Sequence, residues 1–113
     1  MIKHMVLIKA KDGMSREAFR SYYENNHAPM ARRLFPMFAD YKRNYIEPRN
    51  ARVPAGAGEI PFDVITEMHF ASEQDYAAFV EKRSRPEIRD EVLADEAKFM
   101  NQDRIFSFLV HVD

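Results

Sequence analysis

Cysteine is absent from this chain of 113 residues. That excludes disulfides, thiolate metal sites and a thiol nucleophile, and fits a reducing compartment. Net charge is nearly absent as well: 17 basic side chains against 18 acidic ones leave −1. No electrostatic tether to nucleic acid or acidic lipid follows from such a balance. Long hydrophobic runs are missing too, since the opening MIKHMVLIKAKDG carries an apolar run of only about five residues broken by lysines, too short for a signal or spanning segment. A cytoplasmic protein is expected. Glycine is scarce, with 3 in all, and two of these fall with half the prolines in EPRNARVPAGAGEIP, residues 47–61, which reads as one long loop. What is present is 46% hydrophobic and 31% charged residues, the make-up of a globular chain able to bury one core as a single domain over residues 1–113.

Ile2 to Ala10 mixes β-branched and long apolar residues and is closed by Lys11, Asp12 and Gly13, as a strand and turn would be. Ile2, His4, Val6 and Ile8 share one of its faces, Met5 and Leu7 the other. Ser15 stands where a helix N-cap belongs, and Pro36 ends the helical stretch that follows. Tyr41, Arg43 and Tyr45 alternate in a second strand, and Phe62 to Phe70 forms a third, with Thr66 and Met68 on one face and Asp63, Glu67 and His69 on the other. Ser72 caps a helix whose buried side is expected to be Tyr76, Phe79 and Val80. Pro86 opens another, with a stripe of Ile88, Val92, Asp95 and Phe99. Arg104 to Val112 alternates as a fourth strand. The order β-α-β-β-α-β predicts an α+β, ferredoxin-like fold: a four-stranded antiparallel sheet with helices on one face. Met5, Leu7, Ile65 and Leu109 are then expected on the bare face, which calls for a second copy of the chain as a homodimer partner.

The stretch FRSYYENNHAPMARRL, residues 19–34, stands apart. Phe19, Tyr22, Tyr23, Asn26, His27 and Met30 fall at i, i+3, i+4, i+7, i+8 and i+11, one stripe of one helix face. Phenols, an amide and an imidazole occupy places where a purely structural stripe would carry leucine and valine. Pro29 should push Ala28 from helical torsions and break the helix close to His27. An imidazole there can satisfy free backbone groups or serve a ligand.

MIKHMVLIKAKDGMSREAFRSYYENNHAPM, FDVITEMHFAS and DEAKFMNQDRIFSFLV together resemble the EthD family of the dimeric α/β barrel superfamily. The most specific piece is Tyr23, His27 and Pro29, in the pattern YxxxHxP. The resemblance implies a ferredoxin-like protomer that pairs sheet to sheet as a dimeric α/β barrel, and members look like small cofactor-free proteins of aromatic, ether or polyketide metabolism. KHMVLIK also resembles the first strand of plant polyketide cyclases of that superfamily, in which a histidine at the place of His4 lines the pocket. The second cyclase histidine has no counterpart here, where SRPEIRDE stands.

The expected site lies between sheet and helices. His27 would be a general acid or base, since imidazole titrates near neutrality and a positioned proton carrier contributes about 10²- to 10⁴-fold in rate. Tyr23 or Tyr22 would supply an oxyanion donor, while His4 and Asp95 would support His27, Asp95 as the orienter of a histidine. Tyr22, Asn26, Thr66, Met68, Phe79 and Phe99 are expected to bind substrate. No metal site is expected, because Glu67 and His69 lack a third ligand, and no cofactor. The methionines and phenylalanines suit an aromatic, polyketide-like or oxygenated metabolite. A lyase, dehydratase or isomerase fits this set. The alternatives are a cofactor-independent oxygenase and a non-catalytic ligand-binding or accessory protein.

Overall fold

Two serines open the helical segments. The Ser15 hydroxyl accepts the Ala18 N–H at 3.1 Å at the start of α1, Arg16–Tyr22. The Ser72 hydroxyl does the same for Asp75 at 3.1 Å and starts α3, Glu73–Ser84. Each cap satisfies an N–H that a helix start leaves free. Pro86, whose missing N–H costs nothing in a first turn, opens α4, Pro86–Glu96.

The computed structural model describes residues 1–113. Besides those helices it contains β1 (Ile2–Ile8), a π turn (Tyr23–His27), α2 (Ala28–Leu34), β2 (Asp40–Tyr45), β3 (Val64–Phe70) and β4 (Phe106–Val110). The strands form one antiparallel sheet in the order β2-β3-β1-β4, the ferredoxin-like arrangement. His4 pairs with Met68, Val6 with Thr66 and Ile8 with Val64, so these six side chains face the helices together. Gly13, at φ +81°, turns the chain from β1 toward α1, a torsion that side-chain-bearing residues adopt at a cost. Residues 47–61 contain neither helix nor strand.

The core between sheet and helices is largely aromatic. Phe19, Tyr23, Tyr41 and Phe99 pack with Ile8 and Val64 in one cluster, and Leu34, Phe35, Phe70 and Phe79 form a second. Fully burying one such side chain is worth about 1.5–3 kcal/mol.

Three expectations about faces need correction. Pro29 does not break the helix: Ala28 keeps helical torsions, φ −63° and ψ −45°, and its N–H reaches back to the Tyr23 carbonyl. The chain relieves the proline by widening the preceding turn, as π turns do when one extra residue must be absorbed. Val80 is 37% exposed, leaving Phe79 as the buried anchor of α3. Leu109 pairs with His4 and so belongs to the helix side, while Phe106 and Phe108 pair with Leu7 and Met5 and stand on the bare face. Leu109 is nevertheless exposed, like its neighbours Phe106 and Phe108.

Candidate active site

The widened turn sets the geometry of His27. A π turn takes one more residue than an α turn, so the buried face slides along the chain by one position. His27 and Ala28 turn inward, where Asn26 and His27 would sit on a regular helix. Asn26 is exposed and does not line the cavity between sheet and helices, which corrects its expected role in binding.

His27 is buried, at 6% exposure, and its Nδ1 lies 2.7 Å from Asp95 Oδ2 of α4. The Tyr22 hydroxyl donates to the other oxygen of Asp95 at 2.6 Å. A carboxylate that accepts from both sides holds the proton on Nδ1, leaving the Nε2 lone pair free. The edges of Tyr23 and Phe99 pack on the imidazole ring, with centroids 5.5 and 5.1 Å away. Burial lowers the His27 pKa, and the hydrogen bond and charge of Asp95 oppose that shift. The net shift favours the neutral imidazole, whose Nε2 makes no hydrogen bond within the protein.

A cavity of about 140 Å³ lies between the sheet and the helices. His4, Val6 and Ile8 of β1 and Met68 of β3 form its floor; Tyr23, His27, Met30 and Ala31 stand on one side, Phe79, Val92 and Glu96 on the other. Five of the ten expected site residues thus line one space: His4, Tyr23, His27, Met68 and Phe79. Tyr22 and Asp95 stand behind His27. Thr66 and Phe99 are wholly buried and off the lining.

The polar groups divide sharply between spent and free. The Tyr23 hydroxyl bonds Thr66 Oγ1 at 2.8 Å and receives the Tyr41 hydroxyl at 3.2 Å, and burial raises its pKa. Tyr22, pushed up to about 12 chiefly by its bond to Asp95, is occupied too. Neither phenol is therefore free to meet a substrate oxyanion, which corrects the role expected of Tyr23 or Tyr22. His4 differs. Its Nδ1 lies 3.3 Å from the Tyr76 hydroxyl, while its buried Nε2 has no hydrogen-bond partner. Burial, and after it the charge of Arg83, lower its pKa.

Two lining residues escape a sequence reading that follows apolar stripes alone. Glu96 continues the α4 spacing of Ile88 and Val92 at i+8, and Arg83 follows Phe79 by one turn on α3. Burial pushes the Glu96 carboxyl up, with Asp95 adding to the shift while Gln102 and Arg83 oppose it. The spacing was the signal; hydrophobicity was the wrong filter.

On the far side of the sheet, Glu67 accepts from Asn44 at 2.9 Å and meets His69 at 3.0 Å and Lys3 at 3.5 Å. Asp63 accepts the Ala10 N–H at 2.7 Å and faces Lys9 and Arg16. It closes the end of the sheet within its own chain. No group of three or more His, Cys, Asp or Glu side chains is gathered as metal ligands.

The EthD domain description matches residues 11–103. The chain belongs to the EthD family. Its fold is shared with an ethyl tert-butyl ether D (EthD) family protein of Bacillus halodurans, at 20% identity and TM-score 0.64 with each chain covered over 100%. An EthD-like protein of Ralstonia eutropha matches at 22% identity and TM-score 0.61, over 96% of this chain and 86% of the other. A dimeric ferredoxin-like protein of unknown function from Thermobifida fusca matches at 18% identity and TM-score 0.52, over 98% and 90%. No curated protein sequence matches. At these identities the EthD structures speak for the fold, and the site has to be read from its own side chains.

Proposed function

We propose that this EthD-family protein is a small-molecule enzyme of lyase, dehydratase or isomerase type, acting on an aromatic, polyketide-like or oxygenated metabolite held between helices and sheet. The observation that carries this is the His27–Asp95 pair, with Tyr22 behind it and Nε2 free beside an apolar cavity. Nε2 takes a proton from carbon or oxygen of the substrate. Asp95 stabilises the imidazolium that forms, and the proton is returned at a second position or to a leaving hydroxyl. His4 offers the second polar contact. Such proton movement needs no cofactor. The protein would act as a homodimer, joined through the bare sheet face with Phe106 and Phe108 at its centre, as the dimeric relative from Thermobifida fusca suggests.

Deuterium incorporation tests the assignment. In D₂O with a panel of hydroxyaromatic, lactone and β-keto acid compounds, the parent should place deuterium at an acidic carbon of at least one. His27→Gln should slow that exchange by about 10²- to 10⁴-fold at unchanged melting temperature. Equal exchange by His27→Gln would sink the assignment. The engagement of both phenols within the protein favours one alternative, a ligand-binding protein without turnover, for which saturable binding with no exchange by the parent is the signature.

A further inference from the structure

Two donors on the cavity wall share one neighbour and lack one partner. The guanidinium of Arg83 stands over the face of Phe79, 5.0 Å from its centroid, and makes no salt bridge with any carboxylate of the chain. The His4 ring meets the same Phe79 edge-on, with centroids 6.3 Å apart. His4 is 5% exposed, and its Nε2 is the one buried side-chain polar atom without a hydrogen bond. When the Tyr76 hydroxyl donates to Nδ1, the ring proton sits on Nε2, and an orphaned buried donor is costly unless something accepts from it. Next to it lies the Arg83 cation at the rim, which feels the Glu96 carboxyl on the same lining but forms no salt bridge with it. One group answers both: an anionic oxygen acceptor with two oxygens, that is, a carboxylate, which a guanidinium fork fits closely.

The remaining space sets the body of the ligand. The cavity of about 140 Å³ is lined mainly by apolar side chains. That is close to the size of an engineered apolar cavity of about 150 Å³ known to admit benzene. We infer that the natural ligand is a monocarboxylate of about one ring, its carboxylate bound by Arg83 and His4 at Phe79 and its ring placed among Met30, Met68 and Val92. Glu96 stands on the same lining, where burial raises its pKa and Gln102 and Arg83 oppose that shift. This assignment rests on the cavity being the ligand site, as proposed above, and adds the charge and size of what enters.

Titration calorimetry with sodium benzoate and with benzyl alcohol, near in shape but uncharged, tests it. The parent should prefer benzoate by about tenfold, the scale of one charge-assisted hydrogen bond at a half-open site. Arg83→Met should erase that preference and Arg83→Lys keep part of it. His4→Phe, which retains a ring in place, should weaken benzoate by a similar factor. Equal affinity of the parent for both probes, or benzoate affinity unchanged in Arg83→Met and His4→Phe, overturns the carboxylate assignment and leaves the cavity standing. If neither probe binds the parent, the cavity itself is not the ligand site, and both proposals fall.

Discussion

The imidazole of His27 is held between opposing influences: burial favours its neutral form, and Asp95 favours the charged one. Replacing Asp95 by Asn removes the second and leaves the first. The acid limb of the kcat/KM profile, which reports the free enzyme's base, should then move to lower pH in Asp95→Asn. A limb that stays put would mean that Asp95 does not act through His27. The same shifts have a consequence for stability. His4 and His27 have folded pKa values below the ordinary 6.5, so the unfolded chain binds more protons once the pH falls under that value. Stability is full above about pH 6.5 and declines as pH drops through the lowered folded pKa values. Glu24 follows in a separate window: the Arg43 guanidinium holds its carboxyl at about 2 against 4.5 unfolded, and its contribution goes as pH falls from 4.5 toward 2. Urea midpoints measured from pH 8 to pH 3 should descend in two stages, and His4→Phe should flatten the first. His4, His27, Asp95 and Tyr23 were all legible as candidates, because polar groups in apolar stripes draw attention. Which polar groups were free was not legible, since the partners of Tyr23 lie 18 and 43 residues away.

At the scale of the element, the π turn keeps His27 on the cavity side while it exchanges Asn26 for Ala28 as the neighbour that turns inward with it. Its cause is visible in the sequence as Pro29, but the remedy is not, because a kink, a break and a widened turn all relieve the same clash. Asn26 shows the consequence: regular spacing turned it inward, and the extra residue turned it out. Deleting Asn26, whose exposed side chain makes no hydrogen bond, should restore a regular turn at the expense of the faces. Either Phe19 and Tyr23 or Ala31 and Leu34 would then rotate about 100° from the core. Loss of cooperative thermal unfolding, or a fall of several kcal/mol, is expected; a near-normal melt would mean that the extra residue is not what sets the two faces. The α3 face gives a milder lesson. Period alone could not separate Phe79 from Val80, one buried and one exposed, because both lie within the width of an amphipathic stripe.

For the whole molecule, the bare sheet face is the surface on which the proposed homodimer rests. Phe106 at 57% and Phe108 at 44% exposure stand beside Met5, Leu7 and Ile65, an apolar patch on a face that no helix of the same chain covers. In the proposed homodimer Phe108→Lys should shift sedimentation from dimer to monomer; an unchanged dimer would place the interface elsewhere. Alternation counted along one strand places Leu109 on this face. The register with β1 corrects it, because the phase of an edge strand is set by its neighbour and not by its own sequence. The sequence by itself determined the element order, the capping serines, the antiparallel ferredoxin-like sheet and the residue types of the site, since these follow from local periodicity and local hydrogen bonding. Only the tertiary structure decided that Asp95 reaches His27, that both phenols are occupied, and that Arg83 and Glu96 share a cavity with His4. Those outcomes depend on how α3 and α4 lie over the sheet, on distances between residues far apart in the chain that no periodicity records.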